Sequence, residues 1–180
     1  MIKRVLYRVR QFLLAITSRV TASDRAFIGK YLTIPEAALF YELPRDEQRH
    51  SIVVAKKMLS VVRSPSADVE ERALAKVGLL HDIGKSAIRL GILDRALLVL
   101  LKNFAPSLYG RFALAGSREG TFGFFRKVHV HKEHARLSGI LLRAAGTEER
   151  VVKLVELHDK RPEESDPTEL ILLRRVDGNN

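Results

Sequence analysis

His81 and Asp82 stand side by side in the run Leu79-Leu80-His81-Asp82-Ile83-Gly84-Lys85, at the end of an apolar, helix-forming stretch. A buried carboxylate is costly unless a cation neutralises it. A divalent metal does this and also uses the neighbouring imidazole. Further candidates lie elsewhere: His50 upstream, His134 and His158 downstream, and Asp177 near the end. Each falls on the apolar side of its own expected helix. Singly, a histidine on an apolar helix face is more often a hydrogen-bonded core residue than a ligand. Together, four of the six histidines and two aspartates, aimed inward from five helices, are better explained by one common partner. Nitrogen and carboxylate donors of this kind suit Mn, Fe, Mg, Co, Ni or Zn. No cysteine is present, so disulfides and thiolate sites are excluded.

Positioning these groups requires helices, and the periodicity predicts them. Met1 to Val20 places apolar residues at 2, 5, 6, 9, 12, 13, 16 and 20, with basic residues opposite. Thr33 to Leu43 reads as a short helix or turn entering the core, with Pro35 suited to a first helical position and Pro44 ending it. Asp46 is the expected cap of a helix running through His50 to about Val62, where His50 shares a face with Val53, Val54, Met58 and Val61. Ser64-Pro65-Ser66 breaks the chain, and Asp68 with Glu71 forms an expected capping box for the next helix. That helix aligns Leu74, Val77 and His81, with Gly84 placed to terminate it.

Residues 86–133 are less regular. Ile88 to Phe104 reads as an apolar helix; Gly110, Gly116, Gly120 and Gly123 then punctuate a basic stretch containing Tyr109, Phe112, Phe122, Phe124 and Phe125. A lid, a binding surface or a mobile loop all fit that composition. Helical spacing returns over Lys132 to Ala145, aligning His134, Leu137, Leu141 and Ala145 before Gly146. Thr147 opens another helix that aligns Val151, Leu154, Val155 and His158. Asp166-Pro167-Thr168-Glu169 combines a cap, a first-turn proline and a capping-box acid, and Leu170, Leu173 and Asp177 follow on one face. No alternating strand pattern or internal repeat is visible, so the expected fold is all-α. The length of 180 residues, 46% of them hydrophobic, suits one globular domain.

The longest apolar runs, such as Ala96 to Leu101, are too short to span a bilayer, and the basic N-terminus lacks a signal-peptide pattern. A cytoplasmic, reducing location is therefore expected. The net charge of +10 is uneven. Residues 1–30 hold seven Lys/Arg against one acid, and residues 86–133 hold eight against three. Such segments attract nucleic acid, anionic lipid or phosphorylated substrates, or simply form a solvated basic surface.

The order and spacing resemble the HD-domain superfamily of metal-dependent phosphohydrolases over roughly residues 45–178. His50 matches the first-helix histidine, His81-Asp82 the doublet that names the superfamily, and Asp177 its late aspartate. His134, in His134-Ala135-Arg136-Leu137-Ser138-Gly139, and His158, in Glu156-Leu157-His158-Asp159, look like the added histidines of the two-metal subset. Ser138 stands where relatives often carry glycine. Tyr109-Gly110-Arg111 is no substitute for the Gly-Tyr-Pro motif of the cyclic-di-GMP-degrading branch.

The resemblance implies an HD-type helical domain at 45–180, with a basic N-terminal helical extension at 1–44 and a long basic insertion at about 86–133. It implies one or two divalent ions. His50, His81, Asp82 and Asp177 would hold the first; His134 and His158 would hold the second, with Asp82 bridging. It implies hydrolysis of a phosphoester or phosphoanhydride, with a nucleotide as the natural substrate class. Asp82 would be catalytic. Lys85 would neutralise a phosphate oxygen or protonate the leaving group, or else be an ordinary helix-end cation. Arg126, Lys127 and His131 would lie on the substrate side. A competing reading is a metal-containing regulatory module without turnover, which engages nucleic acid or an anionic membrane through its basic segments.

Overall fold

The computed structural model describes residues 20–62 and 70–178. The expected Met1–Val20 helix, the Ser64-Pro65-Ser66 break and the Asp68 cap lie outside the described residues, apart from Val20. Among the described residues there are helices and no strands.

The chain enters through α1 (Ala22–Tyr31) and α2 (Ile34–Glu42). Thr21 caps α1 in a capping box with Asp24. The Thr33 N–H donates to Glu36 at 2.8 Å, and Pro35 sits in the first turn of α2, as the sequence predicts. The long helix α3 (Arg45–Val61) then packs on α4 (Glu71–Leu80). Every residue of α4 from Ala73 to Leu80 is buried, so α4 is the axis of the domain. Gly78 makes the α3 contact possible: a Cβ there would lie 2.6 Å from Cα of Ala55. After α4 the chain tightens into a 3-10 turn (Ile83–Ala87). A hairpin of α5 (Ile92–Phe104) and α6 (Pro106–Gly116) follows, then the long α7 (Gly123–Ala144), α8 (Glu149–Leu157) and α9 (Thr168–Asp177).

The main core joins Ile28, Phe40, Ile52, Met58, Leu74, Leu79, Leu142, Val152 and Leu170, so α1 and α2 bury side chains in the same core as the helices that follow. Fully buried charge is neutralised inside it. The Lys76 ammonium donates to Glu36 at 2.9 Å and to Glu148 at 2.7 Å, and Thr147 adds a 2.9 Å bond to Glu36. A smaller cluster of Leu98, Tyr109, Ala113 and Val128 holds the hairpin against the first half of α7.

Several local expectations are corrected. The segment after Phe104 is not a glycine-punctuated loop but α6 and the start of α7, which begins nine residues earlier than expected. Gly110 and Gly116 lie inside α6. At Gly116 a Cβ would meet the Phe125 carbonyl at 2.0 Å, so this glycine serves helix packing rather than a turn. Only Gly120 and Gly123, of the four, have positive φ; Gly120 lies in the short link between α6 and α7, and Gly123 opens α7. Asp46 lies inside the first turn of α3 and is paired with Arg95. Helix α4 follows Glu70 with no side-chain cap, and it ends at Leu80, well before Gly84. Thr147 and Asp166 do not cap either: Thr147 bonds Glu36, and Asp166 accepts from Glu163 N–H and from Arg174. Glu169 is buried and bonds Arg150 at 2.5 Å instead of closing a capping box. At Asp46, Thr147 and Glu169 a tertiary partner outcompetes the local one. No helix among the described residues is long and apolar enough to cross a membrane.

Candidate metal centre

The doublet sits where α4 gives way to the 3-10 turn. His81 still bonds in helical fashion, its N–H donating to Val77 O at 3.1 Å. Asp82 adopts φ −106°, ψ 6°, the bridge region between helix and strand. The two side chains therefore leave a buried backbone in fixed and different directions. Helix α7 is locked across this turn. Gly84 N–H donates to Ser138 Oγ at 2.8 Å, and that hydroxyl donates to His81 O at 3.0 Å. A Cβ on Gly84 would lie 2.2 Å from the His134 carbonyl oxygen. Gly84 and Ser138 thus set the distance between the doublet and His134.

All six expected ligands converge. Nε2 of His50 is 2.8 Å from Oδ1 of Asp177 and 3.9 Å from Oδ2 of Asp82. Nε2 of His81 is 3.2 Å from Oδ2 of Asp82 and 3.7 Å from Oδ1 of Asp177. The other Asp82 oxygen, Oδ1, faces His134 Nε2 at 3.3 Å and His158 Nε2 at 3.9 Å. Asp82 therefore belongs to both groups, one oxygen in each. The sets His50/His81/Asp82 and Asp82/His134/His158 each bring their ligand atoms within 4.8 Å of one another.

The hydrogen bonds fix which nitrogens are available. Nδ1 of His81, His134 and His158 each lies on the carbonyl three residues back: Gly78 at 3.0 Å, His131 at 2.8 Å and Val155 at 2.7 Å. A carbonyl only accepts, so Nδ1 carries a proton in all three, and in the neutral rings of His134 and His158 Nε2 presents a lone pair. The Nε2 atoms of His134 and His158 nonetheless approach to 3.2 Å. Two lone pairs facing each other beside a carboxylate oxygen call for a cation between them. His81 Nε2 and Asp82 Oδ1 are buried and have no hydrogen-bond partner among the described residues. The donor set, its burial and these orphaned atoms all fit a divalent ion.

The electrostatics separate the two sides: His81 holds a second proton that a metal would have to displace, whereas His134 and His158 are neutral. Burial alone would push the His81 pKa down, but the Asp82 and Asp177 carboxylates reverse this and lift it to about 10. Burial would raise Asp82, yet His81 and Lys85 hold it well below the usual carboxylate range. Burial, helped by the Lys85 charge, pushes His134 down to about 3 and, helped by His81, lowers His158. The second pair of imidazoles is thus neutral and ready to ligate.

Lys85 donates to Asp82 Oδ2 at 2.7 Å and lies 3.8 Å from Glu47. Burial would lower its pKa, but these carboxylates raise it above the usual lysine range. His131 stands one turn before His134, its ring 6.2 Å away, and its Nδ1 is 2.7 Å from the buried Tyr109 hydroxyl. Burial and the Lys85 and Lys102 charges lower His131 to about 4, so it is a neutral acceptor for the phenol proton. Lys127 is turned toward α5, donating to Asp94 at 2.6 Å. Arg126 is half-buried on α7, and no hydrogen bond or ion pair among the described residues joins it to the six ligands. The sequence reading missed Glu47, which pairs with Arg95 at 3.1 Å. Its i−3 spacing from His50 was the available signal. It also missed Tyr109, whose partner lies 22 residues away.

Searches of curated proteins and of solved structures gave no match. The family model for the HD domain matches residues 48–178, a span that begins just before His50 and ends just after Asp177. Members of that family are in general metal-dependent phosphohydrolases. The match covers most of the chain and contains every residue of the centre, so this protein belongs to the HD-domain family.

Proposed function

We propose that this protein hydrolyses a phosphoester or phosphoanhydride, with a nucleotide as substrate, in a reducing cytoplasmic compartment. The observation that carries the reading is the position of Asp82, whose two oxygens face two separate sets of nitrogen ligands. His50, His81, Asp82 and Asp177 would hold one ion; Asp82, His134 and His158 would hold the other. Bound divalent ions would supply Lewis acidity, which activates water and takes up charge on the phosphoryl oxygens.

The chain's own residues do the rest. The three backbone carbonyls behind His81, His134 and His158 hold the imidazoles in one tautomer and one orientation. Lys85 holds Asp82 in place, and its tightly bound proton favours neutralisation of a phosphate oxygen over proton donation to a leaving group. His131, fixed by Tyr109, keeps Nε2 as its remaining donor beside the His134 half of the centre. Lys102 pairs with Asp159 at 3.2 Å, next to His158 in the chain.

The test is metal content by elemental analysis of tag-free protein, followed by phosphate release from a panel of nucleoside mono-, di- and triphosphates. Metal-dependent release is expected for wild type, and Asp82→Ala should lose both metal and release. A metal-loaded wild type that releases nothing from nucleotides or from simple phosphoesters would overturn the hydrolase reading.

A further inference from the structure

Nine of the fourteen large apolar side chains exposed among the described residues lie between Leu93 and Phe125, so the exposed apolar surface is concentrated on one supersecondary unit. On α5, Leu93, Leu97, Leu100 and Phe104 recur at steps of four and three, and Leu93 and Phe104 are more than four-fifths exposed. The opposite side of α5 is occupied, with Leu98 fully buried against Tyr109, Ala113 and Val128. On α6, Leu108, Arg111 and Leu114 recur at steps of three, and Arg118 follows in the turn after the helix, all exposed. Exposed apolar side chains gathered on one unit in this way mark an interaction surface more often than side chains scattered singly do.

The charge says what covers it. Residues 92–133 contain seven Lys/Arg against three Asp/Glu. Arg95, Lys102 and Lys127 are held in ion pairs with Asp46, Asp159 and Asp94, which leaves the exposed Arg111 and Arg118 as the cations beside the α6 leucines. A surface that combines exposed Leu and Phe with interleaved Arg matches the interface of an anionic bilayer. There the aliphatic groups enter the acyl boundary and the guanidinium groups stay at the phosphates. A second copy of this chain would bring like charges together. Nucleic acid would leave the leucines without a partner, because bases stack on aromatic rings. We propose that the α5–α6 hairpin docks on an anionic lipid surface. This goes beyond the hydrolase reading and does not depend on it, because binding needs neither metal nor turnover.

The experiment is co-sedimentation of the full chain with vesicles of phosphatidylcholine containing about a third phosphatidylglycerol, against vesicles of phosphatidylcholine alone. Binding is expected only to the anionic vesicles, and it should weaken as salt is raised. Leu97→Gln/Leu100→Gln/Phe104→Ser changes only exposed side chains and should lower partitioning about tenfold or more. Arg111→Glu/Arg118→Glu should do the same through charge, and each variant's thermal melt checks that it remains folded. Four results would overturn the proposal. One is a wild type that does not bind anionic vesicles. Another is binding by both variants at the wild-type level, which assigns the affinity to another part of the chain. A third is a dimer, seen by light scattering and abolished in the triple variant, while vesicle binding is nil, which assigns the surface to a second copy. Capture by nucleic acid, lost in the arginine variant and without vesicle binding, assigns it to that partner.

Discussion

Gly84→Ala is the most revealing single change in the centre, because its effect can be worked out from distances. The new Cβ would lie 2.2 Å from the His134 carbonyl oxygen and 2.8 Å from the Ser138 nitrogen, both backbone atoms. Neither can rotate away, so α7 must retreat from the doublet turn by roughly 0.8 Å or more to reach the shortest tolerated separation of 3.0 Å. Overpacking of this kind costs about 1–3 kcal/mol. For a chain of this size that lowers Tm by roughly 2–12 °C, at about 2–4 °C per kcal/mol. The retreat carries His134 away from Asp82, from which it is now 3.3 Å. His50, His81 and Asp177 are on other helices and stay. Displacements near 1 Å in a catalytic constellation cost about a hundredfold in rate. The expected result is a folded protein that keeps the first metal equivalent, loses most of the second, and hydrolyses about a hundredfold more slowly. Calorimetry, elemental analysis and phosphate release read these three quantities. A Gly84→Ala protein with wild-type metal content and rate would refute the claim that this glycine sets the doublet-to-α7 distance.

Lys76→Ala should destabilise by about 3–5 kcal/mol, because Glu36 is left as a buried, uncompensated charge. Thermal melts should show it, and adding Glu36→Gln should restore part of the loss. Lys85→Ala should keep its metal, since a protonated amine does not ligate, while lowering turnover; metal loss with an intact fold would contradict its assignment. In the presence of chelator the protein should lose stability as pH falls. His134 and His131 have folded pKa values of about 3 and about 4, both below the usual imidazole value. The unfolded chain therefore binds more protons than the folded one in that window. Their contribution is complete above about pH 6.5 and is lost progressively down to pH 3–4, as pH-dependent denaturant melts should show.

The residues of the centre were legible because helical phase is legible. His50, His81, His158 and Asp177 sit at steps of three and four from the buried Val54, Val77, Leu154, Val155 and Leu173, which aims them inward, whereas Leu137, Leu141 and Ala145 beside His134 are only partly buried. The caps were less legible. Asp46, Thr147 and Asp166 have the side chains that helix starts favour, but sequence does not reveal that Arg95, Glu36 and Arg174 reach them first. Residues 105–133 were misread for a related reason. Glycine signals either a turn or a close approach, and only the tertiary position of Phe125 shows that Gly116 is the second. Ser138 was visible as an unusual residue, but its bonds to Gly84 and His81 cross 54 and 57 positions and leave no local trace.

The asymmetry of charge around Asp82 is what separates its two sides. Toward Oδ2 lie a second carboxylate, Asp177, two imidazoles and the Lys85 ammonium. Toward Oδ1 lie two neutral imidazoles and no other anion from the six ligands. On the Oδ2 side the Asp177 carboxylate offsets the Lys85 ammonium, so a cation there depends on the Asp177 charge. The Oδ1 side depends instead on geometry: two Nδ1–carbonyl bonds and the Gly84–Ser138 lock keep its nitrogens in place. A change in backbone spacing therefore weakens the Oδ1 side first, whereas a change in carboxylate charge at Asp177 acts mainly on the Oδ2 side. Asp82 alone belongs to both, and no substitution at that position can spare either.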